Sequence, residues 1–295
     1  MDRRFFFKVM GAAAGTTLVG AAPRDAEAAA TATRRADEAF AVLVDLTKCV
    51  GCRTCEASCA EANGLPAPSE ADDKPGAPPR TTSDKQWTVV NRHDTSKGEV
   101  FAKTGCMHCV EPACAAACLT KALFKTQEGP IIWRADKCMG CRFCMVSCPF
   151  DAPKFEYNSW NPKIQKCQLC WEKAKDGGRP ACVENCPAEA LTFGKRGELL
   201  EIARQRIYQN PGQYVSHVYG EHEAGGTNVL YISPVKFEEV GFRTDLDTTA
   251  YPETTRDFLT AVPLILTAFP AFLMGLRQAT GRAAESGHET PNTEA

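Results

Sequence analysis

Sixteen cysteines, all between Cys49 and Cys186, constrain this chain more than any other feature. They fall into four groups: Cys49, Cys52, Cys55 and Cys59; Cys106, Cys109, Cys114 and Cys118; Cys138, Cys141, Cys144 and Cys148; Cys167, Cys170, Cys182 and Cys186. Prolines follow the last cysteine of the third and fourth groups, at Pro149 and Pro187. The first and third groups share the spacing C-x2-C-x2-C-x3-C. The second and fourth keep their ends and insert four and eleven residues between the two inner cysteines. Clustering of this kind marks a ligand set rather than scattered buried thiols, and its fourfold recurrence must be accommodated before any fold is named.

The spacing has a physical reason. Three thiolates within seven residues can hold three iron corners of one [4Fe-4S] cube, leaving backbone N–H groups to bond the sulfides. The fourth cysteine starts a new turn and reaches a neighbouring cluster. Motifs therefore work in crossed pairs, and four motifs imply four clusters. Structural zinc uses pairs of C-x2-C with a long spacer, and the triplets Cys49/Cys52/Cys55 and Cys138/Cys141/Cys144 are too dense for that. Disulfides would close many short, strained loops, and unligated buried thiols leave the periodicity unexplained. With four thiols per motif, His108 reads as a supporting or surface histidine. Lys48, Lys137, Lys166, Arg53 and Arg142 flank the motifs and could offset anionic charge, although a solvated face accounts for each equally well.

The ends carry different signals. Residues 1–28 read as a twin-arginine leader: Arg3-Arg4 before an aromatic run, an apolar stretch, and a cleavage signature at Ala26-Glu27-Ala28. That route exports folded proteins, which suits metal centres assembled beforehand. Phe258 to Leu276 is a run of nineteen uncharged residues, and as a helix it would span about 28 Å, near the hydrocarbon thickness of a bilayer. A transmembrane helix is thus expected over 258–276, with 277–295 as a cytoplasmic tail and the body on the periplasmic side.

Between the ends, residues 29–209 read as one metal-bearing α+β domain, with 60–105 as a surface insertion and 210–257 as an extended arm. Strands are expected at Ala41–Leu46, Lys154–Tyr157 and Ala190–Phe193, and hairpins around Gly129-Pro130 and Lys97-Gly98. Apolar spacing predicts an amphipathic helix over Glu198–Gln209. A net charge of -2 gives no basic footprint for nucleic acid. The chain has neither a dinucleotide fingerprint nor a nucleophile–base pattern, so a non-catalytic role is expected.

The four motifs, the leader and the C-terminal run together resemble the iron–sulfur subunits of membrane-bound periplasmic oxidoreductases, most of all the hydrogenase-2 type ferredoxin component. Residues His217–Asn228 resemble that branch's stretch before its membrane helix. The resemblance implies tandem bacterial-ferredoxin-like modules related by pseudo-two-fold repeats. It also pairs the first motif with the fourth and the second with the third. The implied ligand sets are Cys49, Cys52, Cys55 and Cys186; Cys59, Cys167, Cys170 and Cys182; Cys106, Cys109, Cys114 and Cys148; and Cys118, Cys138, Cys141 and Cys144. Leu119 departs from the family, which has proline there. The implied function is electron relay from the small and large subunits of a [NiFe]-hydrogenase to a quinone-reactive membrane subunit. The alternative is the same role beside a formate dehydrogenase or another molybdenum or tungsten oxidoreductase.

Overall fold

The computed structural model describes residues 36–69 and 78–285. The leader expected over 1–28, the linker from 70 to 77 and the last ten residues lie outside this range. The chain divides into two units at Ala250/Tyr251.

In the first unit, strand β1 (Phe40–Asp45) leads through the first cysteine group into helix α1 (Thr54–Ala62). A long hairpin follows, β2 (Thr88–Thr95) and β3 (Gly98–Gly105). Next come the short helix α2 (Ala113–Ala116) and a second hairpin, β4 (Leu123–Lys125) with β5 (Ile131–Trp133). Helix α3 (Phe143–Val146), strands β6 (Lys154–Phe155) and β7 (Ile164–Gln165), and helices α4 (Trp171–Ala174) and α5 (Ala181–Glu184) carry the remaining cysteine groups. Strand β8 (Leu191–Lys195), helix α6 (Arg196–Gln209) and strand β9 (Val229–Ile232) close the unit.

Strand β1 is the hub. It pairs antiparallel with β8 and parallel with β9, giving the order β8-β1-β9. Both its faces are covered, which explains why its sequence is continuously apolar rather than alternating. Ala41 and Leu43 pack with Leu199, Leu200 and Ala203 of α6, together with Leu230 and Ile232 of β9. Val42 and Val44 point the other way, into a cluster with Cys55, Val90 and Tyr231. The sheet thus presents one face to a helix and the other to cysteines.

Two segments expected at the periphery belong to this core. The hairpin β2–β3 falls within the expected surface insertion, yet Val89 and Ala102 are fully buried. The hairpin's tip, from Arg92 to Glu99, and most of the described residues 61–69 and 78–86 lie at the surface. The expected arm also packs against the body as far as Ala250. Its strand β9 is buried along its whole length, and Tyr219, Tyr231, Phe237 and Phe242 form an aromatic cluster with centroids 4.7–6.3 Å apart. Buried Arg196 holds the segment by donating to the carbonyls of Thr227 and Glu221, each at 2.9 Å. The glycines and prolines that suggested an extended arm instead make the turns of a packed return to β1.

The second unit is helical: α7 (Tyr251–Thr254) and α8 (Arg256–Glu285). Tyr251–Gln278 is long and apolar enough to cross a membrane by length and composition. Phe258, Leu264, Leu266 and Phe272 stand exposed, as lipid-facing side chains do. The helix runs past the expected end at Leu276, so the first residues of the expected tail continue it to Glu285. Pro263 and Pro270 lie inside it.

Candidate functional site

Local backbone aims the cysteines. In the first and third groups Gly51 and Gly140 take φ of +70° and +72°, and Arg53 and Arg142 take φ of 59° and 60°. These reversals fall just before the helices that carry Cys55 and Cys144. In the second and fourth groups the corresponding left-handed residues are His108 (φ 48°) and Leu169 (φ 56°), and Pro112 and Pro180 start the short helices bearing Cys114 and Cys182. Lys121, Asp151 and Glu189, each three residues beyond a group's last cysteine, are left-handed as well, with φ of 53°, 49° and 49°. A non-glycine residue held left-handed costs about 1–2 kcal/mol. Alternation of right- and left-handed residues turns successive N–H groups inward and makes an anion-binding nest. Some of these amides already meet sulfur: Leu169 N donates to Cys167 Sγ at 3.3 Å, Leu123 N to Cys118 Sγ at 3.4 Å and Ala152 N to Cys148 Sγ at 3.5 Å.

Tertiary structure then gathers residues from distant groups. Cys49, Cys52, Cys55 and Cys186 line one cavity, walled by Val44, Val90 and Lys103. Cys59, Cys167, Cys170 and Cys182 line a second, with Trp87, Lys103 and Tyr231, and Cys106 reaches the same space. Cys118, Cys138, Cys141 and Cys144 line another, beside Trp133 and Ile164. Burial, with nearby Cys106, Cys148 and Cys114, raises the pKa of Cys109. The sites also adjoin in series: Cys55 and Cys182 share one packed cluster, Cys106 and Cys167 line one cavity, and Cys114 and Cys144 share another packed cluster.

The donor chemistry suits a large cationic centre. Burial pushes the Cys55 and Cys114 thiols up to about 12, and those of Cys144 and Cys167 to about 11. Bare thiolates are thus strongly disfavoured, and coordination to metal is what deprotonates them. Among the described residues no three His, Cys, Asp or Glu side chains are arranged around a single ion. In each of three cavities four cysteines from two groups face one space, a donor set suited to a multi-iron cube. The indole N–H groups of Trp87 and Trp133 are buried without a protein acceptor, and each residue lines one of these cavities. Both are suitable donors to the sulfur of such a centre.

The flanking charges expected from sequence have different fates. Lys48 and Lys137 are exposed. Arg53 pairs with Glu56 at 3.0 Å, and Arg142 lies over the rings of Phe155 and Tyr157. Lys166 is buried and donates to the carbonyls of Ile131 and Cys167 at 2.5 and 2.8 Å. His108 is buried rather than on the surface. Its Nδ1 accepts from Ile131 N at 3.1 Å, and burial holds its pKa well below the usual range, so it is neutral. Leu119 stands exposed. Tyr231 escaped the sequence reading because it sits on a strand far from the motifs, and Lys103, three residues before Cys106, because its role depends on cysteines of the first and fourth groups. The available signal was weak: Phe101, Lys103 and Gly105 alternate along one face of β3.

Comparison with known proteins agrees with this geometry. Residues 98–196 match the model of a 4Fe-4S dicluster domain. The hydrogenase-2 operon protein HybA of Escherichia coli O157:H7 is 35% identical over 275 residues, covering 81% of this chain and 83% of its own length. The chain belongs to this family of iron–sulfur subunits. A protein of Nitratidesulfovibrio vulgaris is 45% identical over 96% of this chain and 78% of its own length. The iron–sulfur subunit of the nitrate-inducible formate dehydrogenase of Escherichia coli (strain K12) is 34% identical over 65% of this chain and 67% of its own length. As a member of the family, the chain is an electron-transfer subunit of oxidoreductase complexes and carries multiple [4Fe-4S] clusters.

Proposed function

We propose that this chain is a four-cluster relay without bond chemistry of its own. It passes single electrons from the small and large subunits of a periplasmic [NiFe]-hydrogenase to a quinone-reactive membrane subunit. The observation that carries this reading is the series of cysteine sites, in which each shares a packed cluster or a cavity wall with the next. The four ligand sets are those given above, from Cys49/Cys52/Cys55/Cys186 to Cys118/Cys138/Cys141/Cys144. Bound there, the clusters supply one-electron chemistry. The protein excludes water, fixes their spacing and aims N–H donors at sulfur, which sets their potentials. Exposed Cys52 and Cys141 lie in the first and last groups of the series, where electrons enter and leave.

The recurring left-handed positions at Gly51/Gly140, Arg53/Arg142 and His108/Leu169 support two related modules descended from a pseudo-two-fold repeat. The apolar helix supports anchoring at the periplasmic face of the membrane, and the Arg3-Arg4 leader supports twin-arginine export. A hydrogenase partner is favoured over a formate dehydrogenase because the HybA relative matches more of the chain, 81% against 65%. The test is purification of the intact complex followed by hydrogen- and formate-dependent quinone reduction. Hydrogen-dependent reduction alone supports the reading, and formate-dependent reduction alone replaces it with the alternative.

A further inference from the structure

Lys103 is the one side chain shared by the walls of two cysteine cavities, that of Cys49/Cys52/Cys55/Cys186 and that of Cys59/Cys167/Cys170/Cys182. Its position follows from the hairpin. On β3 the face that carries Phe101, Lys103 and Gly105 turns toward the cysteines: Phe101 covers Gly51, and Gly105 lines the second cavity. On β2 the opposing residues Thr88 and Val90 line the second and first cavities, and Val90 pairs directly with Lys103. The hairpin is therefore a partition between two sites, and Lys103 is its residue that lines both.

The charge surroundings are equally specific. Lys103 lowers the pKa values of Cys49 and Cys55 on one side and of Cys59, Cys167, Cys170 and Cys182 on the other. A lysine ammonium is cationic at neutral pH, and Lys103 faces the cysteines of both sites. At the next site along, Cys114 and Cys148 feel Lys166 instead. A fixed cation in a low-dielectric partition favours the more negative, reduced state of whatever lies on either side.

We propose that Lys103 is a positioning cation shared by the first two clusters of the relay, raising both reduction potentials together and by more than those of the other two. Adding an electron to either cluster deepens the negative charge that the ammonium faces. Both clusters are therefore easier to reduce than cysteine ligation alone would make them. This rests on the ligand sets proposed above.

The experiment is anaerobic potentiometric titration of the full chain, followed by electron paramagnetic resonance, with iron and sulfide content measured on the same samples. In Lys103→Met the reduction equilibria of two clusters should move at least tenfold toward the oxidised form, about 59 mV for one electron. The other two should move less. Lys103→Arg, which keeps the charge, should titrate like the wild type. Should Lys103→Met fail to assemble, Lys103→Gln is read in the same way. Unchanged potentials in the uncharged variant, or an equal shift in all four, overturn the proposal. Wild-type protein with four clusters' worth of iron and sulfide upholds the relay whatever Lys103→Met does. A wild-type chain lacking them refutes the ligand sets independently.

Discussion

Replacing Glu56 by alanine should dismantle half of the cluster-binding apparatus while sparing the rest. Glu56 lies on α1, between Cys55 and Cys59, and its carboxylate is completely buried. It pairs with Arg53 at 3.0 Å and Arg80 at 2.8 Å, and accepts from Gln86 Nε2 at 2.7 Å and Val90 N at 2.5 Å. One carboxylate thus ties the helix that bears a cysteine of each of the first two sites to the hairpin that walls them. Removing one partner of a buried ion pair costs about 3–5 kcal/mol, because charges and an amide are left without acceptors. Divided by a urea dependence near 3 kcal/mol per molar for a chain of this size, the loss moves the midpoint down by roughly 1–2 M. The assay is the anaerobic loss of cluster absorbance against urea, with iron counted before and after. Bleaching of about half the clusters should shift to lower urea while the remainder keeps its wild-type midpoint. Glu56→Gln retains an acceptor for the Val90 amide and should fall between the two. A Glu56→Ala protein whose whole curve overlays the wild type would refute the reasoning.

Three further outcomes are expected. Gly51→Ala should destabilise the protein more than Gly140→Ala: both have left-handed φ, but a Cβ at Gly51 would meet the Phe101 ring at 2.4 Å, whereas Gly140 has open space. The shared left-handed cost is about 1–2 kcal/mol, so the excess measured by urea unfolding reports the steric conflict alone. Stability should fall as pH drops through about 6.5, because the unfolded chain takes up a proton that buried, neutral His108 refuses. His108→Asn, which tolerates the left-handed backbone, should flatten that slope in unfolding titrations. Ending the chain after Thr255 removes α8, so the protein should move from the membrane to the aqueous fraction with its iron content unchanged.

Much of the site could be read from the sequence because a cubane motif is local. Three cysteines within seven residues, with glycine or a strained residue between them, define their own nest, and hydrogen bonds such as Leu169 N to Cys167 Sγ close within it. The strands flanking the motifs and the hairpin at Gly129-Pro130 were legible for the same reason: turn chemistry and alternation act over a few residues. The role of the β2–β3 hairpin was not legible, since a polar, proline-rich linker precedes it and its strands look like any exposed ribbon. Nor was the return of residues 210–250 to the core. Strand β9 is only four residues long, and its apolar character explains itself only once it lies beside β1.

The amino-acid order by itself determined that this chain holds thiols in crossed groups, and that residues 258–276 form an uncharged apolar run. These properties depend on neighbours in the chain, where geometry is set by bond lengths and turn preferences. Only the tertiary structure decided that Cys186 comes to Cys49 and Cys59 to Cys167, that Tyr231 closes one cavity and that Lys103 stands between two. Those meetings join residues far apart in sequence, and what specifies them is the shared burial of both faces of β1 rather than any local pattern.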